Sequence, residues 1–122
     1  MDTSDAINRF SALAQETRLA VFRLLVRHEP VGLPAGEIAR QLAVPHNTMS
    51  AHLAVLVRAG LAVSERESRS IIYRAHLDHM QETLRFLVSD CCAGHPSICE
   101  PLMSSMAQCS PPRKKGLKPC KP

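Results

Sequence analysis

Nothing in this sequence is long and apolar enough to span a bilayer, which needs roughly 20 such residues. Its first ten residues, MDTSDAINRF, carry acids and lack the apolar stretch of a secretory signal. A cytoplasmic protein without a membrane partner is therefore expected. Lysine is absent from residues 1–100, where ten Arg stand against eleven Asp plus Glu, a net of −1. Residues 101–122 hold Arg113 and four Lys with no acid, a net of +5. The excess of positive charge thus belongs to a tail, and net charge alone does not argue for nucleic-acid binding. Also missing are a nucleophile–base arrangement, a phosphate-cradling loop and any internal repeat. Enzymatic activity and an organic cofactor are not expected.

A chain of 122 residues suits one compact domain. Apolar residues recur at helical spacing in 5–14 and again in 17–28, where Leu19, Phe22, Leu25 and Val26 form a wide face with Val21 and Leu24 beside it. EPVGLPAG interrupts the pattern. A helix over 34–42 begins at Pro34, suited to a first turn, and AVP connects it to a longer helix over 46–59 that Gly60 terminates. Two helices joined so closely make a helix-turn-helix candidate. The period then changes to two in LAVSER and SIIYRAHL, a β-hairpin linked by ESR. Asp78, with Gln81 three residues on, is positioned as a capping box for a last helix running to about Asp90. After Glu100 the Pro-, Ser- and Lys-rich composition reads as a flexible basic tail.

On the 46–59 helix, Met49, Leu53, Leu56 and Val57 share one stripe and are expected in the core. Asn47, Ser50, Ala51, Ala54 and Arg58 share the opposite one, small and polar enough to enter a major groove about 12 Å wide. His46, Asn47, Thr48, Ser50 and Ala51 are the candidate DNA contacts, near the end where a recognition helix usually touches bases. An ordinary solvated helix face has the same periodicity. In the last helix, Leu77, Met80, Leu84, Leu87 and Cys91 are spaced 3, 4, 3, 4, a seam suited either to helix packing across a two-fold axis or to packing on its own domain.

Five cysteines in a chain expected in a reducing compartment read as ligands or reactive thiols before disulfides. Cys91, Cys92 and Cys99 fall within nine residues, and Gly94 and Pro96 let the chain turn back on itself. Three soft thiolates suit a thiophilic ion. A Cys₃His zinc site with His95, a thiol redox sensor and purely structural thiols are the competing readings. Cys109 and Cys120, in the tail, read as incidental thiols or secondary scavengers.

ALAQETRLAVFRLLV, LPAGEIARQLAVPHNTMSAHLAVLVRAGLA and SERESRSIIYRA resemble the second helix, the helix-turn-helix and the wing of the ArsR/SmtB repressors. Glu16 stands where the family often has proline. The resemblance implies a mainly α (α+β) winged helix-turn-helix, homodimeric through the last helix and the first, with Ile7, Phe10, Leu77, Met80, Leu84 and Leu87 in the interface. It also implies a palindromic operator as partner, and Arg66 and Arg69 at the wing positions that approach DNA. Glu65 and Glu67 flank those arginines and oppose a phosphate contact. The pattern CCAGHPSIC resembles a subgroup that binds trivalent arsenic or antimony, which implies release of DNA when As(III), Sb(III) or a methylated As(III) binds Cys91, Cys92 and Cys99. A zinc- or cadmium-responsive repressor, for which His76, Asp78 and His79 are partial ligands, is one alternative. A thiol redox sensor of the same fold and a metalloid-binding protein with no DNA partner are the others. The expected organisation is a DNA-binding and dimerisation domain over 1–92, a thiol site over 91–100 and the tail over 101–122.

Overall fold

The computed structural model describes residues 1–91, with side chains to Val88. They form α1 (Thr3–Leu13), α2 (Glu16–Arg27), β1 (Leu33–Pro34), α3 (Ala35–Leu42), α4 (His46–Arg58), β2 (Ala62–Glu67), β3 (Ser70–Ala75) and α5 (Leu77–Cys91). This is the element order of a winged helix-turn-helix. The chain divides into a unit of Met1–Leu84 and one that begins at Arg85, the division falling within α5. Among the described residues no helix is long and apolar enough to cross a membrane.

The core of the first unit is aliphatic. Val21, Phe22 and Leu25 of α2, Ile38 of α3, Met49, Leu53 and Leu56 of α4, and Leu61 beyond it are fully buried. The width of the α2 face was expected to bury Leu19 and Val26 as well. Both are exposed, at 45% and 39%, because α1, α3, α4 and β3 pack on the side that carries Val21, Phe22, Leu24 and Leu25.

The helix ends follow local chemistry. Asp2 caps α1, its side chain accepting from the Asp5 N–H at 2.8 Å while Asp5 returns a bond to the Asp2 N–H. Gln15 caps α2 through the Arg18 N–H at 2.8 Å. Pro34 is not in the first turn of α3. It is the extended residue before it (φ −71°, ψ 153°) and pairs with Ile72 in β1, a strand that the prolines concealed. α3 ends with Ala43 left-handed at φ 54° and the Val44 N–H bonded to the Ala39 carbonyl at 3.0 Å. α4 ends the same way on Gly60, at φ 83°, with the Leu61 N–H on the Leu56 carbonyl at 3.0 Å.

The expected capping box at Asp78 does not form. His76 occupies the cap, its Nδ1 accepting from the His79 N–H at 3.3 Å and its carbonyl from the Met80 N–H at 3.1 Å. Asp78 instead lies inside the first turn, where a carboxylate suits the helix dipole.

The sheet is antiparallel with order β1-β3-β2. Ala62 faces Ala75, Ser64 faces Tyr73 and Arg66 faces Ile71. Burial decreases along the hairpin, from Ala62 and Ala75 at the base to a fully exposed tip at Ser68 and Arg69. Gly32, at φ 78°, lets the preceding loop pass against β3. A Cβ there would sit 2.6 Å from both the Tyr73 carbonyl oxygen and Arg74 Cγ.

Candidate nucleic-acid interface

α4 carries two faces with opposite roles. Met49, Leu53 and Leu56 are completely buried and fix the helix on the core. Asn47, Ser50, Ala51, Ala54 and Arg58 are all exposed, as are His46 and Thr48. The outward stripe therefore offers short polar groups, two methyls and a terminal guanidinium. These allow close approach to a groove floor and hydrogen bonding to base edges. Pro45, preceding α4, makes no side-chain cap. The first N–H groups of the helix are thus left for an external acceptor such as a phosphate.

α3, the other half of the helix-turn-helix, satisfies its charges internally. Glu37 accepts from Arg40 through both carboxylate oxygens, with Nε at 2.9 Å, and from Gln41 Nε2 at 2.9 Å. These bonds, Arg40's first, lower the Glu37 pKa to about 2 and raise that of Arg40.

The hairpin is braced at its base. Arg74 donates to Glu29 through Nη2 at 2.9 Å and Nε at 3.3 Å, and to Glu65 through Nη1 at 3.3 Å. The Glu29 bond is the main cause of an Arg74 pKa above its ordinary value. Glu65 was expected to oppose a phosphate contact at the wing, and Arg74 offsets its charge. Arg66 and Arg69 are exposed and have no carboxylate partner among the described residues.

A junction that periodicity did not reveal ties α4 to the start of α5. Arg9 of α1 is 7% exposed. Its guanidinium donates to the Ala59 carbonyl at 3.4 Å, the His79 carbonyl at 3.3 Å, Thr83 Oγ1 at 3.0 Å and Glu82 Oε1 at 3.2 Å. His79 Nδ1 lies 2.6 Å from the Gly60 carbonyl oxygen, and its ring stacks on His76 with centroids 3.6 Å apart. The end of the exposed helix is therefore held by α1 and α5 together. A polar residue on an otherwise apolar stripe beside Ala6 and Ala12 was the available signal.

Of the residues expected at a dimer seam, Ile7, Phe10, Leu77 and Leu87 are exposed and Leu84 is half-buried. Met80 packs partly against the core of its own domain. Cys91 is the last residue of α5, and Cys92, Cys99, His95, Cys109 and Cys120 lie outside the described residues. His76 and His79 are engaged with helix and loop backbone. Among the described residues no group of three or more His, Cys, Asp or Glu side chains is placed to hold a metal.

Residues 13–65 match a helix-turn-helix domain family. The transcriptional activator HlyU of Vibrio cholerae is 31% identical over 72 residues, covering 59% of this chain and 64% of that protein's length. An ArsR-like transcriptional regulator from Rhodococcus shares the fold with a TM-score of 0.64 at 25% identity, covering 86% of this chain and 92% of its own. The homodimeric winged helix-turn-helix DNA-binding domain of a Mycobacterium bovis protein matches with a TM-score of 0.59 at 26% identity, covering 75% and 86%. Taken with the exposed α4 stripe and the braced wing, these likenesses show a winged helix-turn-helix similar to those of ArsR-like regulators.

Proposed function

We propose that a homodimer of this chain binds a palindromic operator through α4 and the wing, and that trivalent arsenic bound by Cys91, Cys92 and Cys99 releases the DNA. The observation that carries the DNA reading is the contrast on α4. Three side chains anchor it at zero exposure while every residue of the opposite stripe is open. Exposed apolar side chains on α1 (Ile7, Phe10) and α5 (Leu77, Leu87) support self-association. A two-fold dimer sets its recognition helices about 34–36 Å apart, one DNA turn.

The inducer reading rests on the chemistry of the donor set. Three thiolates from one short segment satisfy As(III), which takes three sulfur ligands in a pyramid and needs no fourth. Sb(III) shares that preference, and a methylated As(III) offers two open positions. Release requires that the metalloid bind the DNA-incompetent state more tightly than the DNA-bound one. Coupling through α5 is the route proposed, and the bonds between the start of that helix and the end of α4 support it.

The test is a gel shift of metal-free protein on the DNA upstream of its own gene, repeated with arsenite, antimonite, zinc and cadmium. Binding that arsenite abolishes in the wild type but not in Cys99→Ser supports the reading. Absence of any DNA binding leaves the alternative of a metalloid-binding protein, and release by zinc or cadmium alone assigns a different inducer. HlyU is a transcriptional activator, and the same docking serves either sign. A reporter under the native promoter, with the gene deleted, decides between repression and activation.

A further inference from the structure

α1, the start of α2 and the end of α4 enclose an open groove of about 460 Å³ whose polar lining is Asn8, Ser11, Arg18 and Arg58. We propose that this groove grips a DNA backbone phosphate beside the reading face. The inference rests on the DNA-binding reading above and adds a contact site that extends from the far end of the recognition helix onto α1 and α2.

The lining is a set of donors for an oxyanion. Arg18 is held in place from behind, with Nε donating to the Ala12 carbonyl at 2.6 Å and Nη1 lying 3.5 Å from His52 Nδ1. A guanidinium has five N–H groups, so donors remain for a ligand. Arg58 makes no hydrogen bond or ion pair among the described residues and is exposed. Asn8 contributes an amide and Ser11 a hydroxyl, both exposed. No carboxylate lines the groove. Glu16, at the start of α2, is exposed and outside it. Two cations with no acid nearby repel one another unless an anion lies between them.

Position favours a polymer phosphate over a free one. Arg58 follows Ala54, Ala51 and Ser50 by four, seven and eight residues and so continues their stripe. Eight residues of helix span about 12 Å. A helix whose first turns meet base edges brings its far end to the flanking backbone, where sequence-independent contacts set register. Arg18, on a different helix, locks the C-terminal end of α4 against that same phosphate.

The test uses the full chain and two duplexes of equal length, one from upstream of its own gene and one scrambled. Fluorescence anisotropy is read across about 50–200 mM salt. Arg58→Gln is expected to lower the slope of log K against log salt by about 1 for each bound protomer and to weaken both duplexes by the same factor. Arg58→Lys, which keeps a point charge, is expected to retain the slope. Asn8→Asp is isosteric and lies on α1, off the reading stripe; it is expected to weaken both duplexes. Wild-type behaviour of both Arg58→Gln and Asn8→Asp overturns the proposal. So does a loss confined to Arg58→Gln, which assigns the contact to the α4 stripe alone. If inorganic phosphate shifts the Asn8 and Arg18 amide resonances while the variants bind DNA normally, the groove takes a free anion and the proposal falls. Failure of the wild type to bind either duplex at low salt is a separate result, and it removes the DNA reading itself.

Discussion

Replacing Arg9 by Met tests the junction that ties the end of α4 to the start of α5. The side chain is 8% exposed and donates to groups on α5 and to the carbonyl of Ala59 at the end of α4. Its bond to Thr83 Oγ1, at 3.0 Å, is a buried hydrogen bond to a charged donor, a class that contributes about 1.5–3 kcal/mol. The bonds to the Ala59 and His79 carbonyls are long, at 3.4 and 3.3 Å, and add little. Glu82 is 48% exposed, so its ion pair belongs with surface pairs of about 0.2–1 kcal/mol. Met recovers part of the packing volume and avoids the cost of a buried cation. The net loss is then about 2–3 kcal/mol. With a urea slope of about 1–3 kcal/mol per molar, the unfolding midpoint falls by roughly 0.7–3 M. Thr83→Val supplies the other arm of a double-mutant cycle, and contacting residues of this kind couple by about 0.5–3 kcal/mol. A loss below about 0.5 kcal/mol, the scale of ordinary surface substitutions, together with no coupling to Thr83, refutes the reasoning.

Ala43→Gly should stabilise the fold by up to about 1 kcal/mol in urea unfolding. Relief of a left-handed alanine is worth roughly 1–2 kcal/mol and is partly offset by the greater chain entropy of glycine, about 0.5–1 kcal/mol; a destabilised variant contradicts the strain. Glu37 titrates at about 2 in the folded chain against an ordinary 4.5. A lowered carboxylate pKa adds stability that is present above 4.5 and lost as pH falls toward 2, and exposure keeps the amount small. The NMR titration midpoint of the Glu37 carboxyl should rise toward the ordinary range in Arg40→Gln, the Gln41 bond remaining, and an unchanged midpoint removes Arg40 as the main cause. Ile7→Asp combined with Leu77→Asp should convert a dimer to a monomer in analytical ultracentrifugation while leaving the far-ultraviolet spectrum intact. A dimer that persists places the interface elsewhere.

The helix-turn-helix was readable because α4 obeys a clean stripe. The same spacing that buries Met49, Leu53 and Leu56 exposes Ser50, Ala51 and Ala54, and Gly60 marks the end. The hairpin was readable from the change of pattern after Gly60, although its burial grades from base to tip and does not alternate. α2 was harder. Its apolar residues cover so wide an arc that periodicity could not say which part faces the core, and Leu19 and Val26 proved to be outside it. β1 escaped because two residues, one of them proline, carry no periodicity; pairing with β3 alone makes them a strand. Arg9 escaped because burial of an arginine depends on acceptors 50 and more residues away. His76 displaced Asp78 as the cap because the chain reaches α5 directly from β3, a path that spacing within the helix does not encode. Arg18 and Arg58 lie 40 positions apart in sequence and share a groove only once α2 packs on α4. The thiol trio is a donor set by sequence alone, and the described residues end at the first of the three.

The most direct measurement of the central claim is the DNA affinity of the metal-free full chain, wild type against Ser50→Asp, on the duplex upstream of its own gene. Ser50 is exposed at the middle of the reading stripe, so a carboxylate there faces DNA phosphates and leaves the core intact. The account predicts salt-dependent binding by the wild type, loss of that binding in Ser50→Asp, and equal unfolding midpoints for the two. Equal affinities in the two proteins would mean that α4 is not the surface that reads DNA.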